Sequence, residues 1–266
     1  MSTGYRGAAI AALRTGEPEA KATAVRAMAK DWRDGRREPG QGTLPDRPAR
    51  PDRPELTRPG DMPKRRALTT RAGQVALLHA LAHIEFNAID LACDLVARFD
   101  DMPPTFYGDW IGVADDEARH FQMLRRRLQE LDADYGDLPA HDGLWQAADD
   151  TRDDILARLA VVPLVLEARG LDVTPAMITR LKRAGDHDSV AILEVIYREE
   201  IDHVAAGSRW FTHVCEQRGL DPAPTWRMVV RERFKGDLKP PFNDTARQAA
   251  GLPSAFYEAL SSSPSV

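Results

Sequence analysis

Apolar positions recur at helical spacing along most of this 266-residue chain, and no apolar/polar alternation is sustained, so the pattern predicts an all-α protein. Residues 5–34 read as one or two short helices, interrupted at residues 15–20, where Gly16, Glu17 and Pro18 give a helix-start signal. From Gln74 the period strengthens. Leu78, Leu81, Ala82, Glu85, Ile89, Ala92 and Val96 share one face of a first long helix, which Met102, Pro103 and Pro104 end. A second helix starts near Asp109 and carries Val113, Glu117, His120, Phe121, Leu124, Leu128 and Leu131. After a loop over residues 135–143, a third carries Ile155, Leu159, Leu164, Glu167 and Leu171, with Pro163 expected to kink it. Residues 172–175 read as a further helix start. A fourth long helix runs from about Asp186 to Arg218 through Leu193, Ile196, Tyr197, Glu200, His203, Val204 and Phe211.

Between Asp34 and Gly73 the pattern lapses. Pro39, Pro45, Pro48, Pro51, Pro54, Pro59 and Pro63 make this an extended, partly polyproline arm, too long for an ordinary connector. Beyond residue 218 prolines leave only short helical pieces, near 227–234 and 243–249. The expected organisation is therefore short helices and an arm over 1–72, a four-helix bundle over 73–218 and a C-terminal extension over 219–266.

Composition changes this picture little. Apolar residues make up 43% and charged residues 29%, a balance typical of globular proteins in water. A net charge of -5 gives no global attraction to nucleic acid. Cys93 and Cys215 lie far apart on apolar stretches, which excludes a disulfide framework, a zinc ribbon or an iron–sulfur cluster. No apolar run approaches the ~20 residues of a membrane span, and residues 8–13 are followed too closely by acids for a signal peptide. A cytoplasmic location is expected.

The candidate chemistry lies on the apolar stripes. Glu85 sits on the core face of the first helix, Glu117 and His120 on that of the second, Glu167 on the third, and Glu200 and His203 on the fourth. Residues three apart on a helix point the same way, so each Glu-x-x-His presents two metal ligands together. Buried carboxylates cost several kcal/mol unless something compensates them, and four with two histidines call for a pair of divalent cations. The spacing repeats. Glu117 follows Glu85 by 32 residues and Glu200 follows Glu167 by 33, each with a histidine three further on. Such a pseudo-duplicate builds a four-helix bundle with a dimetal site between its halves. Carboxylate and imidazole donors without thiolates suit iron or manganese, or a mixed pair, rather than structural zinc. Asp116 and Glu199, next to the ligand glutamates, are candidate hydrogen-bond acceptors for the metal-bound imidazoles. His79 and His83 read as packing or capping groups at the helix periphery, and Tyr107, Trp110, Trp145, Tyr197 and Trp210 as core aromatics.

Specific stretches carry a family resemblance. The run from His79 to Glu85, then Ala88 to Leu91, Asp109-Trp110, Asp116 to Phe121, Glu167 to Asp172, Trp210-Phe211 and Pro241-Phe242-Asn243 resemble the bacterial ferritin-like family known as domain of unknown function 455, over essentially the whole chain. The resemblance implies a ferritin-like bundle and places the six ligands at Glu85, Glu117, His120, Glu167, Glu200 and His203. The bundle is also similar to that of the ferritin-like tRNA hydroxylases, which makes a modified nucleoside one candidate substrate beside a small molecule. The leading expectation is an O₂-dependent di-iron oxidoreductase or hydroxylase supplied with electrons by an external donor. A metal-binding or iron-handling protein without turnover is the alternative, and dimetal hydrolysis ranks below both.

Residues 46–71 hold eight basic side chains, Lys64, Arg65 and Arg66 among them, against four acids. That asymmetry suits either a brace against the acidic bundle or a grip on phosphates, and the absence of interleaved aromatics favours the brace.

Overall fold

The computed structural model describes residues 4–58 and 67–261, and within these the protein is all-helical, with no strand. The helices are α1 (Gly4–Leu13), α2 (Pro18–Arg33), α3 (Arg71–Arg98), α4 (Pro104–Glu130), α5 (Gly143–Asp149), α6 (Ile155–Val161), α7 (Ala168–Ala184), α8 (His187–Gln217), α9 (Pro222–Arg233), α10 (Asp244–Ala249) and α11 (Glu258–Ser261). A π-helical turn, Val162–Glu167, joins α6 to α7. The described chain divides into two compact units, one of residues up to Trp145 with Leu181–Ile192, the other of Gln146–Arg180 with residues from Leu193 onward.

In the first unit, α3 packs along α4, α1 packs on α3, and α2 packs chiefly on α4 and α1. Nearly every residue of α3 from Leu77 to Ala97 is consequently buried or half-buried, Ile84 excepted. An 18-residue window of α3, of mean hydropathy 1.3, is long and apolar enough to cross a membrane by length and composition. The 72% burial of that window is that of a core helix. Enclosure on all sides, rather than a lipid face, accounts for an apolar surface all round the helix. Helix α2 starts where Gly16, Glu17 and Pro18 signalled it, with Glu17 accepting hydrogen bonds from the Glu19 and Ala20 N–H groups and Pro18 in the first turn. Helix α4 begins five residues before Asp109, with proline in its first turn, and this early turn buries Phe106 and Tyr107. Tyr5 and Trp32 pack together, and Tyr5 also stacks on Tyr107, fastening α1 and α2 to α4.

The arm is extended where described, and it braces the first unit. The Ala49 N–H donates to the Leu13 carbonyl, and Thr57 and Ala140 pair through the isolated bridge at Leu56. Arg50 reaches inward to Asp90 at 2.9 Å and donates to Asn87 at 2.6 Å, while Lys21 from α2 pairs with the same Asp90 carboxylate. Lys21 and Asp90 are buried to within 1%. Arg47 pairs with Asp142 and Arg71 with Asp132. Lys64, Arg65 and Arg66 lie outside the described residues.

In the second unit two prolines sit inside helical segments. At Pro163 the hydrogen-bond register slips, and the Ala168 N–H donates back to the Pro163 carbonyl, five residues earlier. A proline lacks the donor and crowds the preceding turn, and a π turn accommodates both. Trp226 Nε1 donates to the Ala160 carbonyl where the register changes. Residues 172–175 do not start a helix, because Pro175 lies inside α7. Its missing N–H would leave the Leu171 carbonyl without a partner, and Asn243 Nδ2 supplies the donor from outside the helix at 3.1 Å. The C-terminal segment is held over the same stretch. Arg247 forms a two-pronged pair with Asp172 at 2.8 Å, both side chains nearly fully buried, and its guanidinium lies over the rings of Phe242 and Tyr257.

Candidate metal centre

The α3–α4 hairpin places its two glutamates level by chain geometry alone. Glu85 and Glu117 lie at equal sequence distance from Asp101, the residue of positive φ at the reversal. Antiparallel helices running out from that turn bring equidistant residues side by side. His120, one turn beyond Glu117, then faces both. Its Nδ1 lies 3.2 Å from Glu85 Oε2 and 3.7 Å from Glu117 Oε2. One ligand atom from each of these three residues falls within 4.8 Å of the others, and all three side chains are buried. This Glu/His group could hold a metal ion.

The electrostatics are those of acidic groups gathered out of water. Burial and the neighbouring Glu117 charge push the Glu85 carboxyl well above its ordinary range. Burial alone would lower the His120 imidazole, but the Glu117 and Glu85 carboxylates outweigh it and raise the group to about 11. His120 therefore serves as the positive partner that a divalent cation would replace, since an imidazole must give up its proton to ligate.

In the second unit Glu200 and His203 repeat the arrangement on α8. His203 is buried and its Nδ1 lies 3.5 Å from Glu200 Oε1, one turn away. Glu167 closes the π turn and is half-buried. Asp116 pairs with Arg119 one turn on, at 2.6 Å, and Asp116 and Glu199 are both half-buried. Tyr197, one turn before Glu200, accepts a hydrogen bond from Asn243 Nδ2 at 2.8 Å.

His79 and His83 act as packing groups. His79 Nε2 accepts from the Gly136 N–H at 2.9 Å, and His83 bridges Tyr135 Oη and the His141 carbonyl, each at 2.9 Å. A carbonyl can only accept, so Nε2 of His83 carries the proton and Nδ1 accepts from the Tyr135 hydroxyl. Burial lowers both imidazoles, His83 to about 4. Tyr107, Trp110, Trp145 and Trp210 are buried, as expected of core aromatics. The sequence reading assigned no role to Asp90 or Gly207. An acid five residues after Glu85 on an apolar helix, and a glycine in the interior of a long one, were the available signals.

The model of the family described as "Protein of unknown function (DUF455)" matches residues 14–258. The chain belongs to this family. A protein of Haemophilus influenzae described as uncharacterized is 40% identical over 209 residues, covering 76% of this chain and 72% of the relative. No solved structure matches.

Proposed function

We propose that this family member is a ferritin-like four-helix-bundle protein in which Glu85, Glu117, His120, Glu167, Glu200 and His203 hold two iron ions, and that it is an O₂-dependent oxidoreductase. The observation that carries the reading is the buried Glu85–Glu117–His120 group, two carboxylates and an imidazole with one ligand atom from each within 4.8 Å of the others. The matched Glu167, Glu200 and His203 in the second half of the chain support a second ion. Manganese, alone or mixed with iron, suits the same oxygen and nitrogen donors.

Two ferrous ions so held would supply electrons to O₂ in a carboxylate shell that tolerates their oxidation. The protein's own part is to present four carboxyl groups as ligands and to orient the imidazoles. Asp116 and Glu199 are proposed to accept the free N–H groups of the ligating histidines. Cys93 and Cys215 are unpaired and buried, so reducing equivalents would come from a separate electron donor.

Metal analysis of protein loaded anaerobically with ferrous iron tests the proposal, with two ions per chain expected. Glu117→Ala and His203→Ala should each leave one ion or none. One ion or none in the unaltered protein would refute the dimetal reading. Oxygen uptake by the reduced protein, with a near-ultraviolet diferric absorption, is expected next. Tight zinc binding with no oxygen reactivity of the iron form would leave a metal-binding protein without turnover.

A further inference from the structure

Within the second unit, α8 meets the π turn at Gly207. A Cβ built on Gly207 would lie 2.4 Å from Pro163 Cβ and 2.7 Å from its Cγ, far inside van der Waals contact. Gly207 is buried in the interior of α8, where glycine costs roughly 1 kcal/mol relative to alanine and calls for a reason. It lies four residues after His203 and seven after Glu200, on the same face of the helix. Pro163 lies four residues before Glu167, within the turn that Glu167 closes. Pro163 and Gly207 also stand at equal sequence distance from Gly185, where the chain reverses with φ +77° between α7 and α8. Glu167 and His203 are likewise equidistant from Gly185 along the chain.

We propose that Gly207 is a positioning residue. Its missing side chain admits the Pro163 ring against α8, and that contact fixes the height and rotation at which the π turn delivers Glu167 opposite the Glu200–His203 pair. The inference rests on the dimetal reading for its functional consequence, while its geometric content does not. A proline in an ordinary α turn would push its neighbour away. The π register and the absent Cβ together let the two backbones approach, so Glu167 can share a cation with side chains from α8.

The test uses Gly207→Ala, with Pro163→Ala as a second variant and Gly112→Ala as a control. A Cβ at Gly112 would meet nothing within 4 Å. Pro163→Ala removes the ring and restores the N–H that an ordinary α turn needs, so it should move Glu167 without crowding the core. Ferrous or manganous ions are titrated into each full-length protein, and crystal structures of the metal-free proteins locate Glu167. Gly207→Ala and Pro163→Ala should lose at least tenfold in affinity for one ion and keep the other near its original affinity, with Glu167 displaced relative to His203. Gly112→Ala should match the unaltered protein. Two ions at unchanged affinity in both folded variants, or equal weakening of both ions, would overturn the proposal. If Gly207→Ala does not fold, the Pro163→Ala result decides. If the unaltered protein binds no metal, the dimetal reading fails by itself, and an undisplaced Glu167 in the variant structures then separately refutes the positioning role.

Discussion

The buried carboxylate pair makes an opposed prediction for stability and for metal binding, and Glu117→Gln exposes it. Glu117 is 1% exposed, and its carboxylate lies 3.7 Å from the His120 Nδ1 and within the same 4.8 Å group as Glu85. At an effective dielectric near 20, the repulsion from Glu85 and the attraction to protonated His120 are each roughly 4 kcal/mol and nearly cancel. Desolvation of the carboxylate itself adds a cost of several kcal/mol. The amide of glutamine costs about 1–3 kcal/mol of this back if its hydrogen bonds are incomplete. The metal-free variant should therefore be more stable than the unaltered protein by about 1–3 kcal/mol, a rise of several degrees in Tm. With ferrous or manganous ion in excess the order reverses. The unaltered protein should gain about 2.7 kcal/mol at a hundredfold excess over Kd, and the variant, short of an anionic ligand, little or nothing. Urea denaturation with and without metal, under anaerobic conditions, measures both. A metal-free variant less stable than the unaltered protein by more than about 1 kcal/mol, or one keeping the full metal-dependent gain, would show that the pair is not held at the expense of stability.

Arg247→Met should destabilise the protein by about 3–5 kcal/mol in urea, because it leaves Asp172 buried without its two-pronged partner, and a double change that also replaces Asp172 with leucine should recover part of the loss. Full additivity of the two single effects would refute that pairing. Asn243→Ala removes the donor to the Leu171 carbonyl and the cap on the Ala246 N–H, for a combined cost of about 2–4 kcal/mol, and less than 1 kcal/mol in thermal or chemical melts would contradict the account of Pro175. Acid should act through His83. Burial holds its folded pKa near 4 against an ordinary 6.5, so both states are neutral above pH 6.5 and no stability is lost there. Between pH 6.5 and 4 only the unfolded chain takes up the proton, and stability should fall by about 1.4 kcal/mol per pH unit, levelling off below 4. Comparing that slope in His83→Gln, where it should be shallower by about one proton, checks the assignment.

The helical class, the long helices and the pairing of Glu85 with Glu117 and His120 were legible in the sequence, because they depend on local periodicity and on counting residues from a turn. An amphipathic stripe and a Glu-x-x-His spacing are properties of one helix and its neighbour. What lay beyond the sequence depended on groups distant along the chain. Pro163 read as a kink and Pro175 as part of a helix start. A proline's effect turns on what satisfies the carbonyl it deprives and on how much room surrounds it, and Asn243, sixty-eight residues after Pro175, and a bare Gly207 opposite Pro163 decided those questions. The other face of α3 posed the same difficulty. Asp90 is an acid on an apolar helix by pattern, and only the folding back of α2 and the arm brought Lys21 and Arg50 to it. Sequence fixes what each segment can do with its own neighbours. Tertiary structure decides which buried polar groups find partners, because desolvation makes each such group costly until a particular distant residue arrives.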